Sequence, residues 1–252
     1  MDLAVFTSLK AREGRNGEIQ SRSLDNWQTV FCLADFVEFD GPLVPFAEMV
    51  TDVEHDSEAD VFIYANADIL FDKEQIHALY NSLCRKHPHE IQGDFLMTGQ
   101  RIDILADGSM RLHRPSGMDY FVFRRGMFRD LPRVLMGRGY CDSAIVAYCL
   151  RRGIPVIDAS FALRVKHQFH DYGHVKGGQN VAYQGVEALE NKRNNSLVDF
   201  GPNCLDATHT LLPDGRVVPN VRKRPGCWRL WHLLTRGGKY WKNPKWEGVA
   251  GI

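Results

Sequence analysis

The chain has 252 residues, no formal net charge, a sequence pI near 7.1, and 44% hydrophobic against 25% charged residues. That balance excludes a disordered or fibrous protein and gives no general electrostatic drive toward nucleic acid. Its six cysteines, Cys32, Cys84, Cys141, Cys149, Cys204 and Cys227, form no Cys-x-x-Cys pair, which suits reduced thiols in a cytoplasmic compartment better than a disulfide framework or a structural zinc site. No apolar run approaches the about 18 residues of a spanning helix, and Met1-Asp2-Leu3-Ala4-Val5-Phe6 has no basic region ahead of a long apolar one. These totals predict a cytoplasmic protein that at most touches a membrane, with one domain over residues 1–200 and a C-terminal extension over 201–252.

In chain order, Leu3-Ala4-Val5-Phe6-Thr7 predicts the first buried strand of an open parallel sheet. Ligands bind such sheets at the carboxyl ends of the strands, which puts Thr7 and Ser8 at a ligand's edge. Residues 17–28 predict a covering helix, with Ile19, Leu24 and Trp27 among polar neighbours. Thr29-Val30-Phe31-Cys32-Leu33-Ala34 predicts the second strand, ending at Asp35, which either meets a base or ribose or caps the turn toward Asp40-Gly41-Pro42.

The stretch that organises the chain is Asp60-Val61-Phe62-Ile63-Tyr64-Ala65-Asn66-Ala67-Asp68-Ile69-Leu70-Phe71. It is a buried strand carrying a carboxamide and a carboxylate at its carboxyl end, two residues apart and so on one side of an extended chain. That pair either holds a hard divalent cation carrying phosphate oxygens or turns the chain before the next helix. Residues 72–87 predict that helix, and residues 95–104 a further strand on which Arg101 and Asp103 share a face. The guanidinium there can pair with a phosphate or with Asp103 itself.

Turns at Ala106-Asp107-Gly108 and Arg114-Pro115-Ser116-Gly117 lead to a strand that opens with Asp119. Asp142 stands at the start of a helix over residues 143–152, where a carboxylate is favoured by exposed amides. Val165-Lys166-His167-Gln168-Phe169-His170-Asp171-Tyr172-Gly173-His174-Val175-Lys176-Gly177-Gly178 is richer in histidine than a plain loop should be. Imidazoles bind metals, and Lys176 with glycine amides can close over a diphosphate. Glu187 and Asn191 lie one turn apart on a helix over residues 181–192, and a short hairpin crosses Pro213-Asp214-Gly215. Residues 221–246 interleave Lys and Arg with Trp228, Trp231, Trp241 and Trp246, which suits an anionic bilayer, a polyisoprenyl-phosphate acceptor, or docking on the chain's own domain.

Tyr64-Ala65-Asn66-Ala67-Asp68-Ile69 resembles the Asp-x-Asp motif, in an Asn-x-Asp variant, of nucleotide-sugar glycosyltransferases with the GT-A fold, and later segments fit in the same order over residues 3–195. The resemblance implies a GT-A-type α/β sandwich with a mostly parallel central sheet flanked by helices, and a basic, aromatic C-terminal extension. It implies metal-assisted transfer of a sugar from a nucleoside diphosphate, UDP first among them, to a hydroxyl of a glycan or glycolipid. Mn2+ or Mg2+ would sit on Asp68 with His170. Thr7 and Asp35 would line the nucleoside, Asn66 and Arg101 the rest of the donor, and His174 and Lys176 the diphosphate. Asp119 would hold the donor sugar, and Asp142 would act as general base in an inverting reaction. Glu187 and Asn191, which match the family's Glu-x-x-x-Asn pattern, would pin a loop. Two other classes stay open, a sugar nucleotidyltransferase and a non-catalytic nucleotide- or glycan-binding module; no nucleic-acid partner is expected.

Overall fold

The computed structural model describes residues 2–10, 13–32, 34–41, 43–84, 93–170, 175–194 and 201–220. Eight strands form the central sheet: β1 (Leu3–Leu9), β2 (Asp35–Asp40), β3 (Val61–Ala65), β5 (Leu96–Thr98), β8 (Tyr120–Arg124), β9 (Val156–Asp158), β11 (His209–Leu211) and β12 (Val217–Pro219). Their order is β12-β11-β9-β5-β8-β3-β1-β2, parallel except that β8 runs against both neighbours and β12 against β11. A smaller sheet, ordered β4-β10-β6-β7, comprises β4 (Ile69–Leu70), β6 (Ile102–Ile104), β7 (Met110–Leu112) and β10 (Lys166–His167). With helices on the large sheet, this is the mostly parallel α/β architecture the sequence predicted.

The central strands are apolar on both sides because both sides are covered. Along β1 and β3, Ala4, Phe6, Phe62 and Tyr64 enter one core with α2 (Phe46–Asp56) and α4 (Cys141–Arg151), while Leu3, Val5, Val61 and Ile63 enter the other with Trp27 of α1 (Gly14–Val30) and Ile76 and Leu79 of α3 (Lys73–Cys84). The period of two is the pleat itself. Phe46 touches Phe6, Tyr64, Phe121, Phe123 and Phe128 at ring separations of 5.2 to 6.2 Å. Burying one such ring contributes about 1.5–3 kcal/mol, so this face is held chiefly by aromatic packing.

Three expectations are corrected. The run at residues 29–34 is not a strand: α1 continues to Val30, and Gln20, Ser23, Trp27 and Val30 form its buried stripe at helical spacing. The second strand begins instead at Asp35 and is a largely exposed edge. The strand expected over residues 95–104 divides at Gly99, β5 staying in the large sheet and β6 passing to the small one. A Cβ at Gly99 would meet Tyr120 Oη at 2.5 Å and Ser160 N at 2.9 Å, so the chain bends where only a glycine fits. The helix over residues 181–192 is broken at Gly185 into α5 (Gly178–Gln184) and α6 (Val186–Asn194).

The hairpin β11–β12 extends the large sheet by pairing with β9. The basic, tryptophan-rich residues 221–246 lie outside the described residues. No described helix is long and apolar enough to cross a membrane, and Cys32, Cys141, Cys149 and Cys204 are free thiols.

Candidate active site

The chain leaves the carboxyl end of β3 through Asn66-Ala67-Asp68 and re-enters structure as β4, in the small sheet. β10 pairs antiparallel with β4, so His167 lies opposite Ile69, and the Gln168 N–H donates to the Asp68 carbonyl at 2.9 Å. Backbone pairing thus delivers the histidine segment to the strand end. The Gln168 side chain fastens it there, donating to Ile19 O at 3.0 Å and Ser23 Oγ at 2.9 Å on α1.

Asp68 is only 2% exposed. Its Oδ2 accepts from His170 Nε2 at 2.9 Å and from the Lys10 ammonium. Its Oδ1 has no hydrogen-bond partner among the described residues, and His167 Nε2 stands 3.7 Å from it. Burial alone would push this carboxyl up, but Lys10, His167 and His170 outweigh it and hold Asp68 well below the usual carboxylate range. Burial also lowers His167, against the pull of Asp68, which leaves a neutral imidazole at neutral pH. Asp68, His167 and His170 each offer one donor atom, all within 4.8 Å of one another. A carboxylate with two imidazoles suits a divalent transition ion such as Mn2+.

A second cluster adjoins the first. Asn66 does not turn toward the Asp68 carboxylate: its amide donates to Asp119 Oδ1 at 2.7 Å and accepts from the Tyr64 hydroxyl at 3.0 Å. Arg101 Nη1 donates to Asp119 Oδ2 at 2.9 Å, and Arg101 Nε to Asp103 Oδ1 at 2.8 Å. Asp103 also meets His113 Nδ1 at 2.7 Å. Burial opposes the charge on Arg101, yet Asp119 and Asp103 more than compensate and raise its pKa. The guanidinium therefore makes the structural pairing that the sequence left open, and locks Asp119 as well.

Asp142 occupies the first turn of α4, whose N-cap, Tyr140, is the one non-glycine residue with positive φ (68°) among those described. It accepts from Cys141 Sγ at 3.3 Å. Burial and the Asp119 charge push Asp142 up to about 8, although Cys141 and Arg101 work the other way. The Tyr64 hydroxyl is raised chiefly by burial, with the Asp142 and Asp68 charges adding to the effect.

Thr7 is buried in β1, one residue beyond the Phe6–Tyr64 pair, and its hydroxyl has no partner among the described residues. Asp35 is not brought to the site. It opens β2 opposite Ala4 and accepts from Ser57 Oγ at 2.6 Å, at the end of the sheet away from Asp68, because the second strand starts where the sequence reading had it stop. Lys176 is exposed just before α5, and His174 lies outside the described residues. Lys10, His113 and the choice of His167 as a donor went unread; a lone lysine after a strand carries no periodic or motif signal.

No family model and no curated protein matches the chain. Solved structures of related fold include several glycosyltransferases and a putative glucose-1-phosphate thymidylyltransferase from Bacillus anthracis, the last at 8% identity and TM-score 0.33 over 81% of this chain and 99% of that one. A Drosophila β1,4-galactosyltransferase 7 mutant in complex with manganese, UDP-Gal and xylobiose aligns at 10% identity and TM-score 0.47 over 90% of this chain and 99% of that one. GalNAc-T7 with UDP, GalNAc and Mn2+ aligns at 12% identity and TM-score 0.46, over 78% of this chain but 48% of its own length. A glycosyltransferase involved in glycosylation of the PBCV-1 major capsid aligns at 9% identity and TM-score 0.31, over 60% of this chain and 67% of that one. The likeness is one of fold. Substrate and mechanism rest on the residues of this chain.

Proposed function

We propose that the protein transfers a sugar from a nucleoside diphosphate sugar, with UDP as the first nucleotide to test, to a hydroxyl of a glycan or glycolipid. The observation that carries this reading is a buried carboxylate at the end of a central strand, one oxygen without a partner among the described residues, faced by two imidazoles from a later segment of the chain. Asp68, His167 and His170 would hold a divalent transition ion, with Mn2+ the one to test, since two imidazoles do not suit the oxygen-seeking Mg2+. Such a cation, when bound, neutralises charge on the departing diphosphate.

The chain's own groups do the rest. Asp119, fixed by Arg101 and Asn66, presents a positioned carboxylate to the hydroxyls of the donor sugar. Asp142 takes the proton of the attacking hydroxyl; a carboxylate with its pKa raised to about 8 is a far stronger base than an ordinary one. A base in that position makes the reaction inverting. Lys176, exposed just before α5, closes over the diphosphate.

The test is a panel of nucleoside diphosphate sugars, with and without Mn2+, followed by release of the nucleoside diphosphate. Turnover that needs the metal and disappears in Asp68→Asn and Asp142→Asn, with donor binding retained in Asp142→Asn, supports the reading. Unchanged turnover in Asp142→Asn would remove Asp142 as the base, and no release from any donor by the wild type favours a binding module.

A further inference from the structure

Lys10 is the residue at this site for which the proposed reaction has so far given no task. It follows the last residue of β1, and its backbone N–H donates to Gln20 Oε1 at 2.6 Å, which anchors its main chain to a buried residue of α1. Its ammonium lies on Asp68 Oδ2, the oxygen that also takes His170 Nε2. The Asp68 side chain is 3% exposed and that of Lys10 16%, so the lysine closes the cluster from its more open side.

A divalent ion held by Asp68, His167 and His170 would take the His170 nitrogen that now bonds Oδ2, and would sit against the Lys10 ammonium held on that same oxygen. An ammonium and a divalent cation on one carboxylate also repel each other strongly in a partly buried setting. The two cations therefore exclude one another at Asp68. A displaced ammonium in such a place needs a new anion, and a diphosphate carried by the same ion supplies one at the same mouth.

We propose that Lys10 is an exchangeable counter-ion: it occupies Asp68 when no donor is present, and it passes to the diphosphate when the divalent cation takes its place. This rests on the metal site of the proposed function and deepens it, since cation and nucleotide then bind as a pair. It also assigns a cause. Asn66, which stands where the resembling motif has its first Asp, does not decide this, because it is spent on Asp119 and Tyr64. The occupant of the cation's place is Lys10.

The experiment titrates Mn2+ into the wild type, Lys10→Met, Lys10→Ala and Lys10→Arg, reading free Mn2+ by its paramagnetic resonance, without nucleotide and then with UDP, GDP, CDP or dTDP. Melting curves confirm that each variant is folded. Both neutral variants are expected to bind Mn2+ without nucleotide about tenfold tighter than the wild type or more. Lys10→Arg should behave as wild type, and in the neutral variants nucleotide should add less to Mn2+ binding. Neutral variants that bind Mn2+ no tighter, while nucleotide still promotes binding in all proteins, overturn the exchange and leave the metal site standing. Wild type that binds Mn2+ tightly without nucleotide also overturns the exchange. No Mn2+ binding by any protein with any nucleotide removes the metal site itself, and the exchange with it.

Discussion

Asp142 carries the sharpest consequences of a single side chain. Its carboxyl titrates at about 8 in the folded chain and near the ordinary carboxylate value when unfolded, so from about pH 4 to 8 the unfolded state has lost a proton that the folded state retains. Stability contributed by this group therefore falls as pH rises through that window. Asp142→Asn should raise the melting temperature, more at pH 8 than at pH 5, by roughly 2–4 °C for each kcal/mol relieved. The same variant should lower kcat by about 10²–10⁴-fold. In the wild type, kcat/KM should climb with pH through about 8, and a profile flat from pH 6 to 9 would remove Asp142 as the base. Asp68 and His170 were legible because a short acidic motif ends an apolar run and a histidine cluster is rare. Asp35 was misplaced because its strand had been set one element too early.

At the scale of the element, the site depends on joints that carry no chemistry. Asn191, fully buried on α6, accepts from the Leu135 N–H at 2.8 Å and donates to Leu135 O at 2.9 Å and Gly139 O at 3.2 Å. It ties down the segment that leads into α4, and so places Asp142. Asn191→Ala should cost about 3 kcal/mol, since it strands three buried backbone groups. It should lower kcat while leaving the KM for donor little changed, a split that steady-state kinetics would show. Gly99→Ala should destabilise by about 1–3 kcal/mol in denaturant melts, because the new methyl meets Tyr120 on β8, the strand just after Asp119. The role of Asn191 as a pin was readable from the Glu-x-x-x-Asn pattern of the resembling family, and not from spacing alone. The end of α1 was not, because a β-branched and aromatic run reads equally as a strand or as the last buried turn of a helix. β2 escaped because an exposed acidic edge lacks the apolar pattern that marks a strand.

For the molecule as a whole, Lys10, Asp68, Arg101, Asp119, His167 and His170 come from the ends of β1, β3, β6, β8 and β10, and meet only when both sheets are formed. The mostly parallel sheet was legible from its buried apolar strands, whereas the small sheet that carries the histidines was not, since its short strands have no period long enough to read. Because the site exists only in the folded chain, ligands that occupy it stabilise the fold. Mn2+ and nucleoside diphosphate together should raise the melting temperature by more than the sum of their separate effects in a thermal-shift assay. Additive shifts would mean that the two do not share a site. The most direct measurement is the pulsed electron paramagnetic resonance of Mn2+ bound in the presence of UDP. The site at Asp68 predicts couplings from two imidazole nitrogens, one lost in His167→Ala and one in His170→Ala, whereas bound Mn2+ with no nitrogen coupling would place the cation elsewhere and contradict the account.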